Sequence, residues 1–383
     1  MGIISERLLQ IKLPPHRSAF LWGPRKVGKT YWIRNQFLKE KSTKKVKYID
    51  LLNTEIFADY ASRPALLRER WSEEFTVIDE IQKVPMLLDE VHWLIENKGA
   101  AFLLTGSSAR KLKRGHANLL GGRAWRFEMA PLSQQEIQDF DLTRALSAGL
   151  IPMHYLSPDP KMDIRSYIAD YLKEEIAAEA LVQNIPAFSE FLRAAALTSG
   201  ELINYKNIGS ECGVSHKVVR QYYQILEDTL LGFRVPAWKK SVDRRMIQSE
   251  KFYLFDVGVT NYLAKRHPEP GNTDFGKSFE HFILMELMSY KKYRNPDMEL
   301  NFWKTSTDLE VDFILGNMDL AIEVKSRSRI DTRDIKNLKI VKQEHKAKHT
   351  VLVSTEMEPK KIDGITVLPW ANFLERLWNG DFL

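Results

Sequence analysis

Ser18 to Trp22 is a short apolar run that stops at Gly23, and apolar positions resume with helical spacing from Tyr31 to Phe37, so the pattern predicts strand, loop, helix. The alternation recurs. Val46 to Leu51, Phe75 to Ile78 and Phe102 to Thr105 read as short strands buried on both faces, separated by apolar-periodic stretches such as Met86 to Glu96. Continuous apolar strands alternating with helices predict a parallel α/β sheet, to which Arg123 to Met129 adds a strand. From Pro131 and Ser133 the pattern turns helical and stays so to about Ala196.

Leu202 to Asp228 then holds a helix, a tight turn at Cys212, Gly213 and Val214, and a second helix capped by Ser215, which is helix-turn-helix spacing. Ile208, Val214, Val218, Val219, Tyr222 and Leu226 are expected inside, leaving His216, Lys217, Arg220 and Gln221 outside. Leu230 to Phe255 reads as strands, so the whole is expected to be a winged helix-turn-helix. A break rich in Pro and Gly, His267 to Asn272, precedes a last segment of helix and strands, Phe275 to Leu383.

At 383 residues the chain has room for more than one core, and 44% hydrophobic with 28% charged residues is a soluble globular composition. No apolar run approaches the roughly 18 residues needed to cross a bilayer, so no membrane is expected. Met1 to Pro15 lacks the apolar segment of a secretory signal, and the single Cys212 allows no internal disulfide; both predict a cytoplasmic protein. The net charge of +6 is concentrated. Lys206 to Lys251 holds nine Lys/Arg against five Asp/Glu, and Ala321 to Thr350 nine against four. Such segments are either faces for nucleic acid or plain solvated surface.

Gly23-Pro24-Arg25-Lys26-Val27-Gly28-Lys29-Thr30 fits the phosphate-binding loop, in which glycines let backbone amides wrap phosphates at a helix N-terminus. Lys29 is expected at the β and γ phosphates of ATP, and Thr30 is expected to place its hydroxyl on Mg²⁺. Asp79 and Glu80 end an apolar strand. Asp79 is assigned to Mg²⁺ and Glu80 to activating the attacking water. Phe102 to Gly106 is followed by Ser107, the first choice for sensing the γ-phosphate, with Thr105 second and a plain Ser cap as the other reading. Arg110, Arg114 and Arg123 can each supply a cation to the transferring phosphate, in cis or from a neighbouring subunit, and the residues alone do not rank them.

On the second helix, Lys217, Arg220 and Gln221 suit DNA phosphates and base edges, and Trp238, Lys239, Lys240, Arg244 and Arg245 are expected on or near the wing. The other reading of this module is a relay that packs on the ATPase. Leu309 to Leu315 and Leu320 to Lys325 read as two strands, and Glu323 and Lys325 share a strand face. With Asp312 projecting from the adjoining strand, two carboxylates, Asp312 and Glu323, are expected to bind Mg²⁺ beside Lys325.

Several of these segments resemble one family. Gly-Pro-Arg-x-x-Gly-Lys-Thr, Val-Ile-Asp-Glu-Ile-Gln, Leu-Thr-Gly-Ser-Ser-Ala-Arg, Leu119 to Arg123, Pro131-Leu132-Ser133 and Phe252 to Gly258 are similar to the recurring pattern of a prokaryotic family of AAA-type ATPases that carries a C-terminal domain of unknown function. The likeness covers nearly the whole chain and makes Arg123 the preferred arginine. Asp312, Glu323 and Lys325 resemble the PD-(D/E)xK restriction-endonuclease-like pattern, in which Glu280 matches an additional acidic residue. The expected architecture is α/β: a P-loop AAA-type parallel sheet over 1–130, a helical lid over 131–198, a winged helix over 199–262 and a restriction-endonuclease-like domain over 263–383. The expected activity is Mg²⁺-dependent ATP hydrolysis coupled to DNA, with a homo-oligomer supplying the arginine. The alternative is an ATP-gated switch whose nuclease-like part is inactive.

Overall fold

Five apolar runs become the strands of one sheet: β1 (Ser18–Trp22), β2 (Val46–Asp50), β3 (Phe75–Asp79), β4 (Phe102–Gly106) and β5 (Ala124–Glu128). They lie in the order β2-β3-β4-β1-β5, and every pair is parallel. The inner strands β1 and β4 are buried at every position, which is why their sequences are continuously apolar rather than alternating. This computed structural model describes residues 4–40, 46–72, 75–107, 120–175, 182, 184–238 and 249–383, which divide into two units. The sheet belongs to the first unit, formed by residues up to Asp139 with 151–153 and 224–231.

Helix α1 (Lys29–Trp32) follows β1 and runs on as a π-helical turn, Ile33–Phe37. Helix α2 (Leu87–Lys98) sets Leu87, Val91 and Leu94 on one face, three and four residues apart, against Phe20, Ile78, Phe102 and Leu104 of the sheet. Each such side chain withdrawn from water is worth about 1.5–3 kcal/mol. Because the strands are parallel, β1, β3 and β4 end on one edge, so the loops after Trp22, Asp79 and Gly106 gather there.

The second unit contains α3 (Leu142–Ala148), α4 (Pro160–Ser166), α5 (Ile185–Leu197), α6 (Tyr205–Cys212) and α7 (His216–Asp228), whose residues 216–223 belong to it. Gly213, at φ +66°, makes the turn between α6 and α7, and a side chain at Gly209 would strike the Val214 carbonyl at 2.7 Å. Ile208, Val219, Tyr222 and Leu226 are buried as the spacing predicts, with Val214 and Val218 half-buried. Tyr223 adds ring contacts to Phe191 and to Phe252, at 4.8 and 4.6 Å. Strands β6 (Gly232–Val235) and β7 (Lys251–Leu254) pair antiparallel. Lys239, Lys240, Arg244 and Arg245 lie outside the described residues. Trp238 corrects an expectation: it is buried, its backbone N–H donates to the Phe302 carbonyl at 2.7 Å, and its indole packs in the core around Trp303.

Helix α8 (Val257–Ala264) leads to α9 (Thr273–Tyr293) and a six-stranded sheet in the order β12-β13-β11-β10-β9-β8. Its strands are β8 (Leu300–Lys304), β9 (Glu310–Leu315), β10 (Leu320–Lys325), β11 (His349–Ser354), β12 (Lys360–Ile362) and β13 (Ile365–Pro369). β10 runs antiparallel to β9 and parallel to β11. The sheet packs Val311, Ile314, Ala321 and Leu352 against Leu338 and Val341 of α10 (Lys336–His345), and α11 (Trp370–Asn379) follows β13. Among the described residues no helix is long and apolar enough to cross a membrane.

Candidate functional site

The loop after β1 is shaped by two glycines. Gly28 sits at φ +96° where α1 begins, and a Cβ on Gly23 would lie 2.7 Å from the Met129 carbonyl. Arg7, buried and ion-paired with Glu136 at 2.9 Å, donates to the Val27 carbonyl at 2.6 Å and braces the loop from below. Lys29 points inward, with Nζ donating to the carbonyls of Gly23 and Pro24 at 2.7 and 3.0 Å. Burial lowers its pKa to about 8, against the opposing pull of Glu80 and Asp79.

Thr30 and Asp79 meet from different elements. Thr30 Oγ1 donates to Asp79 Oδ2 at 2.7 Å, and Tyr48 from β2 donates to the same oxygen at 2.7 Å. Thr105 from β4 donates to the other oxygen, Oδ1, so the fully buried carboxylate is held on both sides. A hydroxyl beside a carboxylate is the hard oxygen donor set that Mg²⁺ takes. Glu80 departs from strand geometry: it lies in the left-handed region at φ 62° and ψ 46°, immediately after β3 ends at Asp79.

Gln82 was not visible as a site residue in the sequence. It is buried, and its Nε2 donates to Glu80 Oε2 and to Ser107 Oγ, the latter at 3.2 Å. Gly106 makes room for it, since a Cβ there would come within 2.4 Å of Gln82 Oε1. Lys29, Thr30, Asp79, Glu80 and Ser107 thus converge on one edge of the sheet. Arg123 does not join them. It directly precedes β5, whose Ala124 pairs with Ser18 at the start of β1, and it is ion-paired with Glu96 at the opposite end of the strand from Gly23. Arg110 and Arg114 lie outside the described residues.

Residues 15–138 match a family described as AAA domain. This segment is thus similar to prokaryotic-type AAA ATPases, a similarity that implies nucleotide binding, typically with Mg²⁺, and suggests ATPase activity. Outside the AAA domain, residues 139–269 and 275–373 match two domains of unknown function, DUF8612 and DUF4143. An uncharacterized protein of Haemophilus influenzae is 22% identical over 321 residues, 78% of this chain and 77% of its own. One from Methanocaldococcus jannaschii is 22% identical over 345 residues, 82% and 75% of the two chains. A chain from a solved structure of Drosophila ORC bound to DNA aligns with 66% of this chain and 90% of its own at 11% identity. Its TM-score of 0.23 is too low to indicate a shared fold.

The second unit holds its own group of charges. Ile322 of β10 pairs with Phe313 of β9, and continuing that register sets Glu323 opposite Asp312. Asp312 Oδ2 accepts from the Val324 N–H at 2.7 Å, and Glu323 Oε1 accepts from Lys325 Nζ at 2.6 Å. Glu323 Oε2 is buried with no hydrogen-bond partner among the described residues. Burial, then the Glu280 charge, raises the Asp312 pKa to about 7; burial, then Asp312, raises that of Glu323 well above the carboxylate range. Tyr253 Oη donates to Glu280 Oε1 at 2.7 Å, and Lys251 pairs with Glu310 at 2.6 Å. Burial pulls the Lys251 ammonium down, but Glu280, Glu310 and Asp312 outweigh it and raise its pKa. Lys251 and Tyr253 come from β7, far from the C-terminal strands in sequence, and no periodicity signalled them. A cleft of about 420 Å³ opens beside them, lined by Glu201, Lys277, Glu280 and Lys304 among others. Among the described residues no three His, Cys, Asp or Glu side chains converge tightly enough to hold a metal. Lys217, Arg220 and Gln221 are exposed on α7, with the Arg220 guanidinium 4.5 Å from the Tyr205 ring centroid.

Proposed function

We propose that the chain hydrolyses ATP with Mg²⁺ and couples the cycle to DNA held by its second unit. The observation that carries the hydrolytic half is the Thr30–Asp79 contact, 2.7 Å, beside the inward-pointing Lys29 and the turned Glu80. In this reading the loop amides and Lys29 hold the triphosphate, Thr30 and Asp79 hold Mg²⁺, Glu80 takes the proton of the attacking water, and Ser107 meets the γ-phosphate. Mg²⁺ neutralises charge on the β and γ phosphates. Arg123, at the far end of the sheet from its own loop, acts from a neighbouring chain of a homo-oligomer. Loss of neither turnover nor assembly in Arg123→Ala would overturn that role.

The coupling to DNA rests on the exposed Lys217, Arg220 and Gln221 and on the basic balance of 206–251, with α6 and α7 as a winged helix-turn-helix. DNA-stimulated ATPase activity is the test. Nucleotide-dependent assembly without a DNA response would favour an ATP-gated switch instead.

A second reading concerns Asp312, Glu323 and Lys325, favoured by the raised carboxylate pKa values and the unpartnered Glu323 oxygen. Two carboxylates and a phosphate oxygen of the substrate would share Mg²⁺, Lys325 would steady the attacking water, and Glu280 would lie close by, as in restriction-endonuclease-like folds. Metal-dependent cleavage of DNA or RNA, lost in Lys325→Ala, supports it; no cleavage of either, with or without ATP, sinks it.

A further inference from the structure

A second cleft in the same unit, of about 580 Å³, opens between the end of α3, α4 and the end of α8. Its size is within the roughly 300–1,000 Å³ usual for small-ligand pockets. Lys161, Lys265, Arg266 and His267 line it, and no Asp or Glu is among its described lining residues. In a chain with 56 basic and 50 acidic residues, that local one-sidedness needs a cause.

Capping of α8 does not supply it. Lys265 and Arg266 follow the C-terminus of α8, where cations are common, but the terminal carbonyls are already met by backbone: Lys265 N–H donates to Tyr262 at 3.2 Å and Arg266 N–H to Asn261 at 2.9 Å. Lys161 arrives on a different helix, about a hundred positions earlier. Among the described residues neither Lys161 nor Lys265 has a hydrogen-bond or ion-pair partner for its ammonium. Arg266, by contrast, is fixed: its guanidinium donates to the Leu197 carbonyl at 2.7 Å, and the carboxylates that act on it, Asp274, Glu201 and Glu280, are not among the lining residues, although Asp274 accepts from the His267 N–H at 3.0 Å. The rest of the lining sets the half-buried Tyr262, Ile164, Ala148 and two prolines, Pro160 and Pro268, beside the polar Ser147 and Asn261.

Unpartnered ammonium groups in one cleft with an aromatic ring suit a ligand with a phosphate at one end and a planar ring at the other. We propose that this cleft binds a nucleotide phosphate, with the base against Tyr262 and the phosphate at Lys161 and Lys265. The ligand is a free mononucleotide or the terminal nucleotide of a nucleic-acid strand. The site is separate from the phosphate loop and does not depend on ATP hydrolysis there.

The test uses the full chain with Lys29→Ala, so that the phosphate loop is silent, and measures calorimetric binding of AMP, of a 5′-phosphorylated dinucleotide and of inorganic phosphate. The expected result is AMP or dinucleotide binding that Lys161→Glu with Lys265→Glu weakens by about tenfold or more. Lys161→Gln with Lys265→Gln is carried alongside in case the reversed charges disturb folding, and is expected to weaken it in the same direction. Tyr262→Leu should weaken AMP but not inorganic phosphate. Tighter AMP identifies a free nucleotide as the source, and tighter dinucleotide a strand end. Absence of AMP and dinucleotide binding overturns the proposal, as does binding unchanged in both lysine pairs, or inorganic phosphate bound as tightly as AMP.

Discussion

Gln82 Nε2 reaches Ser107 Oγ at 3.2 Å while also donating to the carboxylate of Glu80, so one buried amide joins the strand-end serine to the acid after Asp79. Removing the amide leaves both groups in place but frees Glu80 to turn. Gln82→Ala is predicted to lower kcat roughly tenfold or more with KM for ATP within about twofold, because positioning for the chemical step is lost while phosphate binding is kept. Steady-state kinetics checks it. Equal changes in KM and kcat/KM with kcat intact would show that Gln82 serves binding instead.

Lys29 must be protonated to meet phosphate charge, and burial lowers its pKa to about 8. Above that pH the free protein increasingly carries a neutral amine at the site, so ATP affinity is predicted to fall as pH rises through about 8, approaching tenfold per pH unit. Fluorescence titration between pH 7 and 10 measures this. A flat affinity over that range contradicts the lowered pKa.

Asp312 has a folded-state pKa raised to about 7, chiefly by burial and then by Glu280. A group whose folded pKa lies above its unfolded value favours the folded state fully below the unfolded pKa, near 4, and loses that contribution as pH rises through 7. Asp312→Asn, which keeps an acceptor for the Val324 N–H, is therefore predicted to raise Tm at pH 8, on the order of 5 °C, and to have little effect near pH 4. Thermal unfolding at both pH values decides it; a lower Tm at pH 8 would mean that the carboxylate is held favourably in its charged form.

Asp256 caps α8 by accepting from Val259 N–H at 3.0 Å, and its other oxygen accepts from Leu150 N–H at 2.7 Å. A Cβ on Gly149 would lie 2.1 Å from Asp256 Oδ1, and one on Gly258 would lie 2.4 Å from the Ala148 backbone. Asp256→Ala is predicted to cost about 2–4 kcal/mol, from the lost cap and an orphaned buried N–H. Denaturant unfolding of the wild type and the variant measures it, and a cost under about 0.5 kcal/mol would mean that the contacts are replaced by water.

The glycine loop, the first strands and the carboxylate pair were legible because each rests on local physics. Continuous apolar runs make buried parallel strands, and Gly23 and Gly28 mark positions where backbone must approach closely. The face of α7 was legible for the same reason, since a helical period sorts Val219 and Tyr222 from Lys217 and Gln221. What escaped depends on contacts remote in sequence. Gln82 is one polar residue after an apolar position until Gly106 and Ser107 arrive from β4. Lys251 and Tyr253 become part of the Asp312 group only when β7 meets α9 and β9. Trp238 is expected on or near the wing with the basic residues that follow it, whereas its burial is decided by Phe302 and Trp303 some 65 positions later.

The central claim is tested most directly by Mg²⁺-dependent ATP turnover of the wild type beside Lys29→Ala and Glu80→Gln. The account predicts turnover in the wild type, loss of ATP binding in Lys29→Ala, and ATP binding retained in Glu80→Gln with turnover down roughly a hundredfold or more. Wild-type turnover in Glu80→Gln, or none in the wild type while ATP binds, would contradict it.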